Sequence, residues 1–451
     1  MQIMKWSAIA FAVAAASTQM AVASQQDNAQ GFIEDSKLQL DSRMFYFNRD
    51  FRNGGSNVSP ANKAKNKKYN TNTHRTGYGE ELGLGFKARY QSGFTQGTVG
   101  VGVDAFGLQS IKLDSGGGRH FDGAAFFGEK SNGKARNNAS QAGAAVKARI
   151  SSTTLKYGNQ TDVDMPVFSM DDSRLLPETT TGFLITSEEI DGLQLNAGHF
   201  TQLSDLNQVR ADSSPLKKID VVGGNYAIND DLNVAYYYAD ADLDEDTFGY
   251  KSSKKHYLGA DYHYDLAADQ ALDFDFNFYR TKFNNRGESN DRNKAWSLAA
   301  AYTIDAHKFT VGHQRISGDT GYKYGYDGGG SIYLLNDVQR NSFIGEDENS
   351  WQVRYDLDMG KFGVEGLNLM TRYVRGSNVK IQGDTGVNPQ LVGKHDGKNW
   401  ERDIEAGYTF QQGAAKDLNI RVRQATYRAS HLGNVDTDEV RVIVNYPLSI
   451  L

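Results

Sequence analysis

A chain of 451 residues without cysteine is too long for one small domain and has no disulfides to hold it together. Its 49 basic and 55 acidic residues leave a formal charge of −6, a balance that argues against a nucleic-acid partner. Aromatic side chains reach 11%, and no stretch past the first residues approaches the ~18 apolar positions of a membrane helix, so the hydrophobicity must be hidden in a shorter period.

The first element in chain order is an export leader. Lys5 supplies a positive charge, residues 6–16 are almost entirely apolar or small, and Ala21-Val22-Ala23 gives the small-x-small site that signal peptidase cuts. The rival, a membrane anchor, fits poorly because the apolar run is short and lacks a stop-transfer flank. Cleavage predicts a leader over 1–23 and a barrel domain over 24–451. With Lys5 gone from the 49 basic residues, that domain carries 48 − 55 = −7.

From about Leu38 onward, apolar and polar residues alternate with period two. Val99, Val101 and Val103 alternate with glycine and Asp104. Leu272, Phe274, Phe276 and Phe278 share one face, with Asp273, Asp275, Asn277 and Tyr279 on the other. Trp296, Leu298, Ala300 and Tyr302 follow the same rule, as do Leu418, Ile420 and Val422, then Val440, Val442 and Val444 against Arg441 and Asn445. The polar face is often charged, so it must be wet.

Short connectors near 92–97, 151–153, 188–192, 229–231, 265–270, 305–307, 359–366 and 411–417 alternate with long polar segments near 52–78, 114–142, 161–182, 204–218, 243–255, 284–293, 317–349, 377–399 and 428–436. Eight short turns and nine long loops separate 18 strands. That layout predicts an all-β fold, a transmembrane antiparallel β-barrel with short periplasmic turns, long external loops and an aqueous bore. A periplasmic sandwich or propeller would instead turn its charged face outward.

Alternation also sorts the basic side chains. Lys147 and Arg149 oppose Val146, Ala148 and Ile150; Lys156 opposes Leu155 and Tyr157; Arg354 opposes Val353 and Tyr355; Arg372 opposes Thr371 and Tyr373; Arg421 and Arg423 oppose Ile420 and Val422. Arg43 in the first strand joins this set. A cation on the lipid side at mid-membrane costs ~2–4 kcal/mol, so the lumen is preferred. Two readings follow: a ladder of guanidiniums that hold carboxylates by bidentate pairs, or a brace of ion pairs with inward acids such as Asp273, Asp275, Asp356 and Glu405.

Six ordered blocks resemble the OprD-type outer membrane porins, the outer membrane carboxylate channels. They are residues 31–50 (GFIEDSKLQLDSRMFYFNRD), 90–119, 171–198 (with DSRLLP and TSEEIDGLQLNAG), 351–379 (with GLNLMTRYVRGSNV), 400–427, and the terminal VIVNYPLSIL. The resemblance implies an 18-stranded channel, a third loop folded inward, and a basic row along one wall. It also implies passive passage of carboxylate-bearing nutrients such as amino acids or organic and aromatic acids. Arg421 and Arg423 match that wall. Arg402 matches it too, although alternation sets it with Ile404 toward lipid; a bulge or a position above the bilayer would reconcile the two.

The resemblance makes 162–182 the constriction loop, with Asp164, Asp171, Asp172, Arg174 and Glu178 facing the basic wall. Asp319 and Asp337 offer a second acidic patch. The chain departs from the pattern in ending on Leu451, not an aromatic residue, and in its loops at 52–78 and 377–399. Expected partners are small solutes, outer membrane lipid and lipopolysaccharide, the barrel assembly machinery, and further copies in a loose homotrimer.

Other function classes find little support. The string from Gly128 to Lys134 fits a phosphate loop, but Ala135 stands where Ser or Thr is needed, in a polar loop. Nine His are scattered without ligand spacing, so no metal or cofactor is expected. No nucleophile constellation suggests an enzyme, and no passenger domain suggests an adhesin. A general, unselective porin is the nearer alternative.

Overall fold

The computed structural model describes residues 24–53, 77–115, 118–130, 134–244, 250–285, 290–326, 330, 332–382, 389–432 and 436–450. The leader expected over 1–23 lies outside them, as do most of the first loop and the middle of the eighth.

Eighteen strands form one antiparallel ring: β1 (Lys37–Phe51), β2 (Tyr78–Gln91), β3 (Val99–Asp114), β4 (Asn138–Ile150), β5 (Thr153–Gln160), β8 (Thr179–Ile190), β9 (Leu193–Ser204), β10 (Leu216–Ala227), β11 (Leu232–Leu243), β12 (Tyr250–Ala267), β13 (Gln270–Asn285), β14 (Asn290–Ile304), β15 (His307–Gly318), β16 (Asn349–Asp358), β17 (Leu367–Val379), β18 (Gly397–Thr409), β19 (Asn419–Ser430) and β20 (Thr437–Ser449). Two short strands, β6 (Asp164–Met165) and β7 (Phe168–Ser169), make a separate hairpin. The ring closes where β1 pairs with β20, from Gln39 opposite Ser449 to Phe51 opposite Thr437.

Burial is inverted relative to a soluble protein. Val99, Val101, Val146, Ile150, Leu298, Val353 and Val422 are exposed on the outer face, while Arg372, Glu401, Asp403, Glu439 and Arg441 are buried inside. Only a lipid-covered surface makes that arrangement favourable, and closure leaves no strand edge unpaired within it. Outward rings gather near both ends. Trp351, Tyr373 and Trp400 stand 5.6 and 5.9 Å apart at the loop end, and Phe309 and Tyr355 stand 5.1 Å apart at the turn end. These are the interface belts expected of a membrane barrel.

Turns at the end opposite the long loops are as tight as sequence spacing suggested. Gly192, in the β8–β9 turn, has a φ of 72°, a left-handed conformation that glycine adopts without strain. At the other end three loops fold into the bore. Phe121, Phe126 and Phe127 of the second loop and Leu175 and Leu176 of the third bury against Phe45, Phe47 and Phe106. Val163 to Met170 of the third loop packs with Tyr322, Tyr326 and Leu334 of the seventh against β9–β14. The hydrophobic core therefore sits inside the lumen's outer half.

Candidate functional site

The third loop, 161–178 between β5 and β8, crosses the bore and is held on both sides. On one side its hairpin pairs Met165 with Phe168. Tyr279 Oη of β13 donates to Pro166 O at 3.1 Å, and Tyr333 Oη of the seventh loop donates to Asp164 Oδ1 at 2.8 Å. On the other side Asp172 takes Arg43 Nη1 at 3.1 Å and Lys87 Nζ at 2.7 Å. Arg43 also donates to the carbonyls of Asp172 and Arg174. Leu175 covers Gly83 and Gly85 of β2, where a Cβ would collide with it. Between the anchors, Asp171 and Glu178 exchange bonds: Glu178 N donates to Asp171 O at 2.8 Å and Asp171 N to Glu178 Oε2 at 2.9 Å.

This corrects the expected division of charge. The acids of the third loop do not all stand free opposite the basic wall. Asp172 is neutralised by Arg43 and Lys87, and Glu178 is buried in the loop's own turn. Arg43 is thus an anchor for the loop more than an open rung. Burial alone would raise the Asp172 carboxyl, but Arg43 and Lys87 outweigh it and hold it below the usual carboxylate range. Arg174 lies with its guanidinium carbon 5.9 Å over the Phe47 ring.

The second acidic patch is not assembled. Asp319 is exposed at the rim, where its Oδ2 accepts from Arg292 N at 3.0 Å. Asp337 lies inside the seventh loop, accepting from Ser342 Oγ at 2.7 Å. Burial raises its carboxyl above the usual value.

The basic wall runs over β16–β20 and β1 and is ion-paired throughout. Arg354 meets Asp356 at 2.6 Å, and Arg372 meets Asp403 at 2.5 Å, both of the latter pair buried. Arg421 and Arg423 share Glu405, at 2.9 and 2.7 Å. Arg49 and Arg441 share Glu439, each at 2.6 Å. Further round the ring on β3–β5, Lys147 and Lys156 share Asp104, each at 2.7 Å. The brace of ion pairs is therefore present along the wall. Because single carboxylates serve two cations, the wall keeps an excess of guanidinium.

Arg402 is not part of it. β18 keeps unbroken register with β19, from Lys398 opposite Ser430 to Thr409 opposite Asn419, so no bulge turns the side chain inward. It is exposed beside Ile404 and opposite Tyr373 of the outer aromatic belt. There an arginine can stretch its head to the headgroups.

Lys87, Arg49 and Glu439 are not singled out by the sequence, and Arg441 only as a polar-face residue opposite the valines of β20, although alternation alone sets Lys87 and Arg441 inward. Sequence spacing also leaves the seventh loop, 319–348, as an external segment. That loop folds in and spans the bore. Leu335 N donates to Ser297 Oγ at 3.1 Å and Asn336 N to Gln314 Oε1 at 2.8 Å on one side. On the other, the amides of Arg340 and Asn341 donate to Glu401 at 2.7 and 2.9 Å, and Arg441 Nη2 donates to Gln339 O at 2.7 Å. Third and seventh loops together narrow the passage.

Residues 30–450 match the family described as outer membrane porin, OprD family. The chain is 43% identical to Porin D of Pseudomonas aeruginosa, with 100% of each covered. OccAB1 of Acinetobacter baumannii superposes with a TM-score of 0.82 at 30% identity, over 95% of this chain and 100% of that one. OpdK of Pseudomonas aeruginosa, solved with vanillate, gives 0.75 at 32% identity over 93% and 100%.

Proposed function

This chain belongs to the OprD family of outer membrane porins, and from that premise we propose that its lumen prefers small carboxylate-bearing solutes over neutral ones. The observation that carries the reading is the sharing of Glu405 by Arg421 and Arg423 at 2.9 and 2.7 Å. Two cations on one carboxylate leave a net positive charge at this point of the wall, which draws an anionic solute and lets it exchange with Glu405 on a planar fork. OpdK, solved with vanillate, is a relative holding a carboxylate of this size. The flow is passive; the residues 1–23 serve as the cleaved export leader.

Replacing both Arg421 and Arg423 with Ala tests it. In liposome swelling, benzoate flux is expected to fall several-fold while neutral sugar flux holds or rises. Equal change for both solutes would assign these residues to pore shape alone and favour an unselective porin.

A further inference from the structure

The outward face of the barrel carries a charged patch of its own at the loop end, away from the bore. On β13 the outward side chains run Phe274, Phe276 and Phe278, then Arg280 and Lys282. On β14, Leu298 and Trp296 give way to Lys294 and Arg292, and on β15, Val311 and His313 give way to Arg315. All five cations are exposed. Register brings them together: Arg280 stands opposite Lys294, Lys282 opposite Arg292, and Arg315 opposite Trp296. Trp296, edge-on to His313 at 5.3 Å, belongs to the interface belt, so the cations begin where the hydrocarbon ends. With the long loops outside, that level is the headgroup layer of the outer leaflet.

On β10–β12 the outward rim matches cation to acid, Lys218 with Asp242 at 3.3 Å and Lys254 with Asp240 at 3.2 Å. β19 and β20 do the same, Arg428 meeting Asp438 at 2.9 Å. On β13–β15 no acid answers. Among the described residues the side chains of Arg280, Lys282, Arg292, Lys294 and Arg315 make no ion pair and no hydrogen bond. Side chains directly opposite on a sheet start about 5 Å apart, and like charges there repel. Two such pairs side by side are unfavourable unless an anion lies over them.

Three neighbouring strands span about 10 Å, the width of one phosphorylated headgroup. An arginine fork takes two phosphate oxygens at once, and a lysine adds a point charge. We infer that the outward face of β13–β15 is a docking site for the phosphate-bearing headgroup of an outer-leaflet lipid. A lipid fits this face better than a free anion because each cationic column continues straight into an apolar one, Phe278 and Phe276 on β13, Leu298 on β14 and Val311 on β15, along which acyl chains can lie. The site lies outside the bore and is independent of the carboxylate reading.

The test uses the full-length protein in detergent, given lipid A, its dephosphorylated counterpart with the same chains, or inorganic phosphate. Lipid retention is read by native mass spectrometry and stability by melting temperature. Arg280→Gln, Lys282→Gln, Lys294→Gln and Arg315→Gln together are expected to weaken lipid A binding about tenfold or more, the scale set by several interfacial cations acting at once. Lipid A should raise the melting temperature of the wild type and barely move that of the variant. Without lipid the variant should melt no lower than the wild type, because the repulsion is gone. Benzoate selectivity over sugar is expected to be the same in both, since none of these side chains faces the bore. Should the fourfold variant not fold, Arg280→Gln with Lys294→Gln carries the same test, with a severalfold loss. Equal lipid A binding by wild type and variant, or equal retention of lipid A and its dephosphorylated counterpart by the wild type, overturns the site. Displacement of lipid A by an excess of inorganic phosphate would assign the cations to a free anion and overturns it too.

Discussion

Asp172 and Glu348 sit on two of the three inward loops, with carboxyls displaced in opposite directions. Arg43 and Lys87, against the opposing effect of burial, hold Asp172 below its ordinary 3.8. Burial pushes Glu348 up to about 7 from 4.5, while its Oε2 accepts from Gly345 N at 2.8 Å. A depressed carboxyl contributes stability that is full above its unfolded value and lost as pH falls through the folded one; a raised carboxyl contributes stability that is full below its unfolded value and lost as pH rises through the folded one. The third-loop staple is therefore expected to hold at neutral pH and loosen only in acid, below 3.8. The Glu348 corner is expected to be tightest below 4.5 and to loosen as pH rises through about 7. Amide exchange at Gly345 across neutral pH, corrected for its intrinsic rate, reads the second effect. Protection should fall with pH in the wild type and stay level in Glu348→Gln; a level wild type would clear Glu348 of any part in it.

At the level of the element, the third loop behaves as a beam fixed at both ends. Deleting residues 171–176 removes Asp172 and Leu175, yet β5 and β8 should still pair, because closure entropy changes slowly with loop length. Single-channel conductance is expected to rise, with weaker discrimination between benzoate and a neutral sugar. Unchanged conductance in a folded barrel would put the narrowest point at the seventh loop. The strands and their inward cations were legible in the sequence because period two depends on near neighbours alone: Arg372, Arg421 and Arg423 are where alternation sets them. So is Arg402, where alternation prevailed over the motif match. The seventh loop was not legible. Its anchors join Arg340 to Glu401 across 61 residues and Gln339 to Glu439 across 100, and no local period encodes such contacts. The partners of the cations, Asp403 for Arg372 and Glu439 for Arg49, likewise lie on neighbouring strands and emerge only with the register.

For the whole molecule, orientation follows from the asymmetry of its two ends. An epitope beside Gly393 in the eighth loop is expected to be reached by antibody on intact cells, and one at Asp230, in the β10–β11 turn, only after the outer membrane is opened; the reverse labelling would invert the barrel. The seam between β1 and β20 adds a constraint of time. Thirteen residue pairs join strands from opposite ends of the chain, so the first strand made waits for the last before its outer hydrogen bonds are met. Until then β1 presents an unpaired edge, the feature through which strands join the wrong neighbour. A growing chain of this design keeps that edge open to the end, and its last pairing is that of β1 with β20.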